Sequence, residues 1–260
     1  YDKDNRLTKT TEGTVSAGYT YDALGRMTAM DAQNSGKSVV KTTIGYNDPS
    51  STTATGQVKT WKSGATTYTY AYDARGNITS VSDGQSTTTY AYDSFDQLVR
   101  ENNQAAGKTW TYAYDDGGKR ITKTVNGTAY NYHYLGDQLV ELTWGSNKLH
   151  FTYDSTGPAS VNCNGTEYFY VKNAQGDVTG LVNASGTRVV TYTYDAWGNP
   201  LATTGSLAAT LGEQNPLRYR GYVYDTETGL YYLQSRYYNP TWGRVINADA
   251  YLSTGQGFNG

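Results

Sequence analysis

Few residues in this 260-residue chain have the chemistry of a catalytic or metal site. The two histidines, His133 and His150, fall at alternating, strand-like positions, and no Cys or His stands at metal-ligand spacing. Cys163 is the single cysteine, so no internal disulfide forms, and Asn164-Gly165 beside it reads as a turn. Asp116-Gly117-Gly118-Lys119 has hairpin-turn composition and lacks P-loop spacing. Acidic pairs sit mostly in turn-like settings, which gives no positive sign of a glycosidase, and no nucleophile turn marks a Ser-His-Asp site. No cofactor is implied. What does recur is a phenol beside a carboxylate. Tyr-X-Tyr-Asp occurs at Tyr19–Asp22, Tyr70–Asp73, Tyr90–Asp93, Tyr112–Asp115, Tyr192–Asp195 and Tyr222–Asp225, with weaker copies ending at Asn47, Leu135, Asp154 and Val171.

The elements that would position these groups follow from the spacing. The second aromatic of each copy falls at 21, 46, 72, 92, 114, 134, 153, 170, 194 and 224, mostly 17 to 26 residues apart. That period belongs to stacked repeats whose units bury their apolar faces on one another. Around the second full copy, Tyr68, Tyr70 and Tyr72 share one face of an extended strand. Asp73 opens a turn in which its side chain bonds the backbone two residues on, and Gly76 closes it. The chain returns through Ile78–Val81 and reverses again at Asp83-Gly84. Tyr21-Asp22, Tyr92-Asp93, Tyr114-Asp115, Tyr194-Asp195 and Tyr224-Asp225 repeat this grammar with Tyr72-Asp73 as structural repeat residues. The chain holds 27 Tyr and 29 Gly, which favours pleated, half-buried surfaces and tight turns. The fold expected is all-β, built of antiparallel hairpin repeats. A formal charge of −2 leaves no basic footprint for nucleic acid, and no apolar run is long enough for a membrane span. Tyr1-Asp2 resembles the tail of a tetrad already under way, as in a piece of a longer polypeptide.

At these tetrads the chain resembles the Rhs/YD-repeat family. Gly18-Tyr-Thr-Tyr-Asp-Ala-Leu-Gly-Arg-Met-Thr28 and Ala71–Thr79 follow its repeat line, and residues 216–244, from Pro216-Leu-Arg-Tyr-Arg-Gly to Trp242-Gly-Arg244, resemble the Rhs-associated core. Eight Tyr-Asp pairs plus that core cover essentially the whole chain. The resemblance implies a spiralling β-sheet shell or partial barrel. It divides the chain into a repeat region (1–200), an irregular connector (201–215) and a core (216–260). Family members are secreted or cell-surface proteins, among them bacterial toxins, wall-associated proteins and adhesion receptors. In the toxins the shell encloses a C-terminal effector of the same polypeptide.

The resemblance also implies that the core of some members cuts itself by an aspartyl-type mechanism, in which two carboxylates share a proton. Arg236 and Asp249 match core positions tied to that cut. Asn239 stands where many members carry Asp, and an amide cannot share the proton. The first expectation is therefore a non-enzymatic structural shell, from a bacterial protein, that contains or presents an effector. Alternatives are a surface adhesion module, with Trp61, Trp110, Trp144, Trp197 and Trp242 available to meet a glycan or protein, and an autoprotease core lacking its scissile segment. Residues 47–60 read as a long turn, and 201–214 as a loop or short helix.

Overall fold

The computed structural model describes residues 1–46 and 56–248. The expected turn over 47–60 therefore lies mostly outside the described residues, as does Asp249. The chain resolves into two compact units, Tyr1–Tyr90 with Asn102–Gly107, and Ala91–Glu101 with Lys108–Gly260.

The first unit carries β1 (Lys9–Glu12), β2 (Val15–Tyr21), β3 (Met27–Asn34), β4 (Lys37–Gly45), β5 (Thr60–Ser63), β6 (Thr66–Tyr72), β7 (Ile78–Ser82) and most of β8 (Thr87–Tyr92). Each pairs antiparallel with the next. After β9 (Leu98–Asn103), the second unit runs through β10 (Lys108–Tyr114), β11 (Arg120–Val125), β12 (Thr128–Leu135), β13 (Gln138–Trp144) and β14 (Asn147–Asp154). It continues with β15 (Gly157–Cys163), β16 (Thr166–Lys172), β17 (Val178–Val182), β18 (Arg188–Tyr194) and β19 (Pro200–Thr204). From β10 onward these strands again pair with their sequence neighbours. The all-β, antiparallel hairpin-repeat fold is the one observed.

Each tetrad does two jobs. In most copies the first aromatic points to the buried face: Tyr70, Tyr90, Tyr112, Tyr132, Phe151 and Tyr192 are buried, while Tyr19 is half-buried. The pairing register then shifts just before the second aromatic, as at Ala71/Tyr72, Ala113/Tyr114, Thr152/Tyr153 and Thr193/Tyr194. Such irregularities bend a strand and re-aim its side chain. The re-aimed phenol donates to a backbone carbonyl of an earlier repeat. Tyr21 reaches Leu7 O (2.8 Å), Tyr72 reaches Val58 O (2.6 Å), Tyr153 reaches Leu139 O (2.9 Å) and Tyr194 reaches Val178 O (2.8 Å). The phenols thus stitch successive units together, which a lone hairpin needs in order to persist.

The Asp closes the strand. Asp22 Oδ1 accepts the Leu24 and Arg26 amides at 2.9 Å, and Asp73, Asp93, Asp115 and Asp195 accept the corresponding two amides. Three residues on, a left-handed residue lets the chain reverse: Gly76 has φ +95°, and in the Asp93 turn Asp96 takes φ +62° in its place.

Beyond the sheet the structure departs from the expected divisions. Leu201–Thr204 belongs to β19, paired with β18 (Tyr192 opposite Thr203), so the strand ends four residues inside the expected connector. An aromatic-poor sequence concealed it. Then comes a five-residue helical turn, Ala208–Gly212. The chain next forms a small sheet of β20 (Val223–Asp225), β21 (Leu230–Tyr232), β22 (Tyr237–Asn239) and β23 (Arg244–Val245).

Candidate functional site

The sixth tetrad behaves unlike the others. In β20 the parity is reversed: Val223 and Asp225 are buried while Tyr222 is exposed. The Asp225 backbone still forms its turn, with its carbonyl accepting the Thr228 and Gly229 amides at 3.2 and 2.8 Å. Its carboxylate does not cap that turn. It enters the core, at 0% exposure, and meets two cations presented by β11.

Arg120, also at 0% exposure, grips Asp225 with both terminal nitrogens, Nη1 to Oδ2 and Nη2 to Oδ1 (3.0 Å). Lys123 Nζ donates to Asp225 Oδ1 at 2.8 Å and pairs with Glu227 Oε1 at 2.6 Å. Aromatic rings enclose the guanidinium: its carbon lies 4.5 Å from the Tyr232 ring centre, 4.6 Å from Tyr132, 5.6 Å from Tyr112 and 5.7 Å from Tyr237. Planar guanidinium suits both duties at once, a two-pronged grip on carboxylate and stacking on ring faces. The cage is itself tied to the sheet. Arg120 N donates to Tyr232 Oη (2.7 Å), and the Tyr114 and Tyr237 hydroxyls are 2.9 Å apart while Tyr114 also donates to Leu98 O.

A third carboxyl completes the cluster. Glu101 on β9 is 2% exposed, and its Oε2 has no hydrogen-bond partner. Burial, then the nearby charges of Asp225 and Glu227, push its pKa up to about 8. Burial would also raise Asp225, but Arg120 and Lys123 outweigh it and hold that carboxyl below the usual range. Burial would lower Lys123, and Asp225 more than compensates. At neutral pH the cations Arg120 and Lys123 therefore face the Asp225 carboxylate while Glu101 keeps its proton.

A second caged arginine lies at the other side of the small sheet. Buried Arg218 sits 4.8 Å from the Tyr192 ring and 5.0 Å from Tyr224, and donates to the Gly212 and Asn215 carbonyls. Tyr231 Oη, wholly buried, donates to Gly198 O (2.8 Å). The C-terminal segment is thus clamped onto the sheet by groups at both flanks.

The chemistry on offer is retention. Asp225 is wholly buried and engaged in three charged hydrogen bonds that join the small sheet to β11. Arg236 is half-buried, and its carbonyl accepts the Leu233 amide. Asn239 is buried and its Oδ1 accepts the Thr241 and Trp242 amides (2.9 and 3.2 Å), the same turn-capping duty that Asp performs in the repeats. Among the described residues no group of three His, Cys, Asp or Glu is arranged to hold a metal ion, and no helix is long and apolar enough to cross a membrane. The five tryptophans do not form an exposed strip: Trp110 is buried, Trp61, Trp144 and Trp242 are half-buried, and Trp197 is 50% exposed.

Arg120, Lys123, Glu101 and Glu227 were not singled out in the sequence, though a signal exists for three of them. Five and eight residues after the turn-opening Asp22, Asp73 and Asn173 stand Met27 and Met30, Ile78 and Val81, Val178 and Leu181. After Asp93 the second place is Glu101, and after Asp115 both places are charged, Arg120 and Lys123. Aligning these repeats sets charge at places that are apolar in the three others.

A family model described as "Teneurin YD-shell" matches residues 1–257. The chain is 38% identical over 262 residues to the tRNA3(Ser)-specific nuclease WapA of Bacillus spizizenii, covering 96% of this chain and 10% of that protein. It is 28% identical over 276 residues to the probable deoxyribonuclease RhsB of Dickeya dadantii, covering 96% of this chain and 18% of that one. Among solved structures, the crystal structure of TcdB2-TccC3-TEV is similar with a TM-score of 0.40 and 16% identity, covering 91% of this chain and 17% of that one. The chain spans a tenth of the length of the first of these relatives.

Proposed function

The chain belongs to the Teneurin YD-shell family, within the Rhs/YD-repeat group, and on that premise we propose that it is a non-enzymatic shell segment of a secreted or cell-surface bacterial protein. Its work in this reading is to contain or present an effector carried elsewhere in the same polypeptide. One observation carries the reading: the segment after β19 is locked against the buried face of the repeat sheet by the Asp225–Arg120–Lys123 clamp inside its tyrosine cage. A sheet that fixes its own C-terminal segment so firmly is suited to bearing an effector joined to that segment. Two relatives are named as nucleases, and this chain supplies a tenth and 18% of their lengths. In this reading the nuclease chemistry of those relatives belongs to a part of the polypeptide other than the shell segment. The chain's charge of −2 agrees with a scaffold that leaves nucleic-acid contact to another part.

Adhesion is the weaker reading, because the first-position rings of most repeats are buried in the sheet and the five tryptophans form no exposed strip. For an autoprotease, Asn239 supplies no second carboxylate and caps a turn instead. Intact mass over time of the full-length protein separates these: one stable mass fits the scaffold, and two fragments whose production stops with Asp249→Asn would establish a working protease.

A further inference from the structure

Among the described residues Lys123 is the one buried lysine, and its ammonium stands between two carboxylates of the C-terminal segment. Nζ donates to Asp225 Oδ1 at 2.8 Å. The carbon of that carboxyl, Cγ, is one bond further on, and a near-attack separation is about 3–3.5 Å. On its other side Nζ lies 2.6 Å from Glu227 Oε1, an oxygen with no hydrogen-bond donor. Arg120 Nη1 holds the second oxygen of Asp225, Oδ2. A cation therefore already sits where negative charge would gather if Cγ were attacked. Rings close the surroundings: Tyr130 lies 5.2 Å from Nζ, and four tyrosines enclose Arg120. Three other lysine–carboxylate pairs, Lys119–Asp137, Lys148–Glu141 and Lys172–Asp154, each leave one partner more than half exposed.

We propose that Lys123 and Asp225 join in an intramolecular amide, with Glu227 carrying the proton and Arg120 stabilising the oxyanion. The pair rests as two ions, so the bond forms slowly, through the minor neutral pair. Nζ first passes a proton to Oδ1, leaving an amine beside a carboxylic acid. The Nζ lone pair then attacks Cγ, and the carbonyl electrons move onto Oδ2 beneath Arg120 Nη1. Glu227 takes a proton from Nζ and delivers it to the Oδ1 hydroxyl, which leaves as water while Oδ2 becomes the amide carbonyl. One Nζ–Cγ bond forms, one Cγ–Oδ1 bond breaks, and Glu227 ends as the carboxylate it began. Nothing is oxidised or reduced. Four clustered charges become two, Arg120 and Glu227, which still balance, and a low-dielectric interior favours that exchange. The three exposed pairs keep their ions in water and stay unjoined. The new bond links positions 102 apart and fixes the small sheet to β11, whether or not the polypeptide carries an effector.

The test is the mass of the full-length protein, denatured after increasing times at neutral pH, followed by peptide mapping. Wild type loses one water in a fraction that grows with time, and its digest contains a branched peptide joining Lys123 to Asp225. Lys123→Met keeps the apolar stem, cannot form the amide and shows no loss. Glu227→Gln leaves both joining residues in place and forms the bond at least about a hundredfold more slowly. Separate Lys123 and Asp225 peptides in wild type at every time would overturn the proposal, and so would equal water loss in Lys123→Met. An unslowed bond in Glu227→Gln would overturn the role given to Glu227. Should either variant not fold, the wild-type peptide map decides alone.

Discussion

Asp225→Asn tests the clamp against an internal control, because the same Tyr-X-Tyr-Asp motif places its other carboxylates in turns. At Asp195 the side chain does no more than accept the Trp197 and Asn199 amides at 2.8 and 2.9 Å. Asn173 performs that duty with its amide oxygen for Gln175 and Asp177. Asp195→Asn therefore preserves every bond and costs less than about 0.5 kcal/mol. Asp225→Asn is the same chemical change in a different setting. It removes the only charge shared by two buried cations, replaces an acceptor facing Arg120 or Lys123 with a donor, and leaves both cations at 7% side-chain exposure or less. Truncating one partner of a buried ion pair costs about 3–5 kcal/mol. With a urea slope of about 2–3 kcal/mol/M, the midpoint falls by about 1–2 M, against no resolvable change for Asp195→Asn. Paired urea melts at pH 7, monitored by tryptophan fluorescence, read both. Equal midpoints for the two variants would refute the claim that Asp225 holds the hairpin.

The phenol stitches predict a contrast within one position of the motif. Tyr153→Phe loses the bond to Leu139 O and about 1 kcal/mol, whereas Tyr134→Phe removes a buried hydroxyl that has no partner and is neutral or stabilising in the same melts. Gly198→Ala destabilises by more than about 2 kcal/mol, since its φ is +84° and a Cβ would stand 2.4 Å from the Tyr219 ring. Gly127→Ala, left-handed but with open space around it, costs about 1 kcal/mol. The pH profile of stability is set by two opposed signs. Asp225 and the turn carboxylates Asp22 and Asp73 have lowered pKa values, so their contribution is present above about pH 4 and fades as pH falls through the lowered values. Glu101 is raised, so the folded chain keeps a proton that the unfolded chain gives up above 4.5, and stability declines from there towards about 8. The melting temperature accordingly peaks near pH 4–5. Glu101→Gln gains about 3 kcal/mol at pH 7, the 2.5 pH units above 4.5 at about 1.4 kcal/mol each.

Much of this architecture was legible because its determinants are local. An Asp that caps its own turn and a Gly that takes positive φ need no distant partner, so each tetrad announces a hairpin. Other features depended on contacts across the sequence. The phenol bonds reach 14 to 19 residues back to carbonyls, whose direction is set by the sheet and not by residue type. Leu201–Thr204 was hidden because Ala and Thr pair with a tyrosine strand without resembling one. Asp225 kept the motif while its strand reversed parity, a change that only the packing of the small sheet determines. Its partners Arg120 and Lys123 lie 105 and 102 residues upstream.

The central claim, that the clamped sheet bears a protected downstream part, is tested most directly by limited proteolysis of the full-length protein. Wild type and Asp225→Asn would be compared with the isolated downstream part at pH 7. The account expects the downstream part to survive in wild type under conditions that degrade it when isolated, and to become cleavable when Asp225 is neutralised. Digestion in wild type as fast as in isolation would contradict it.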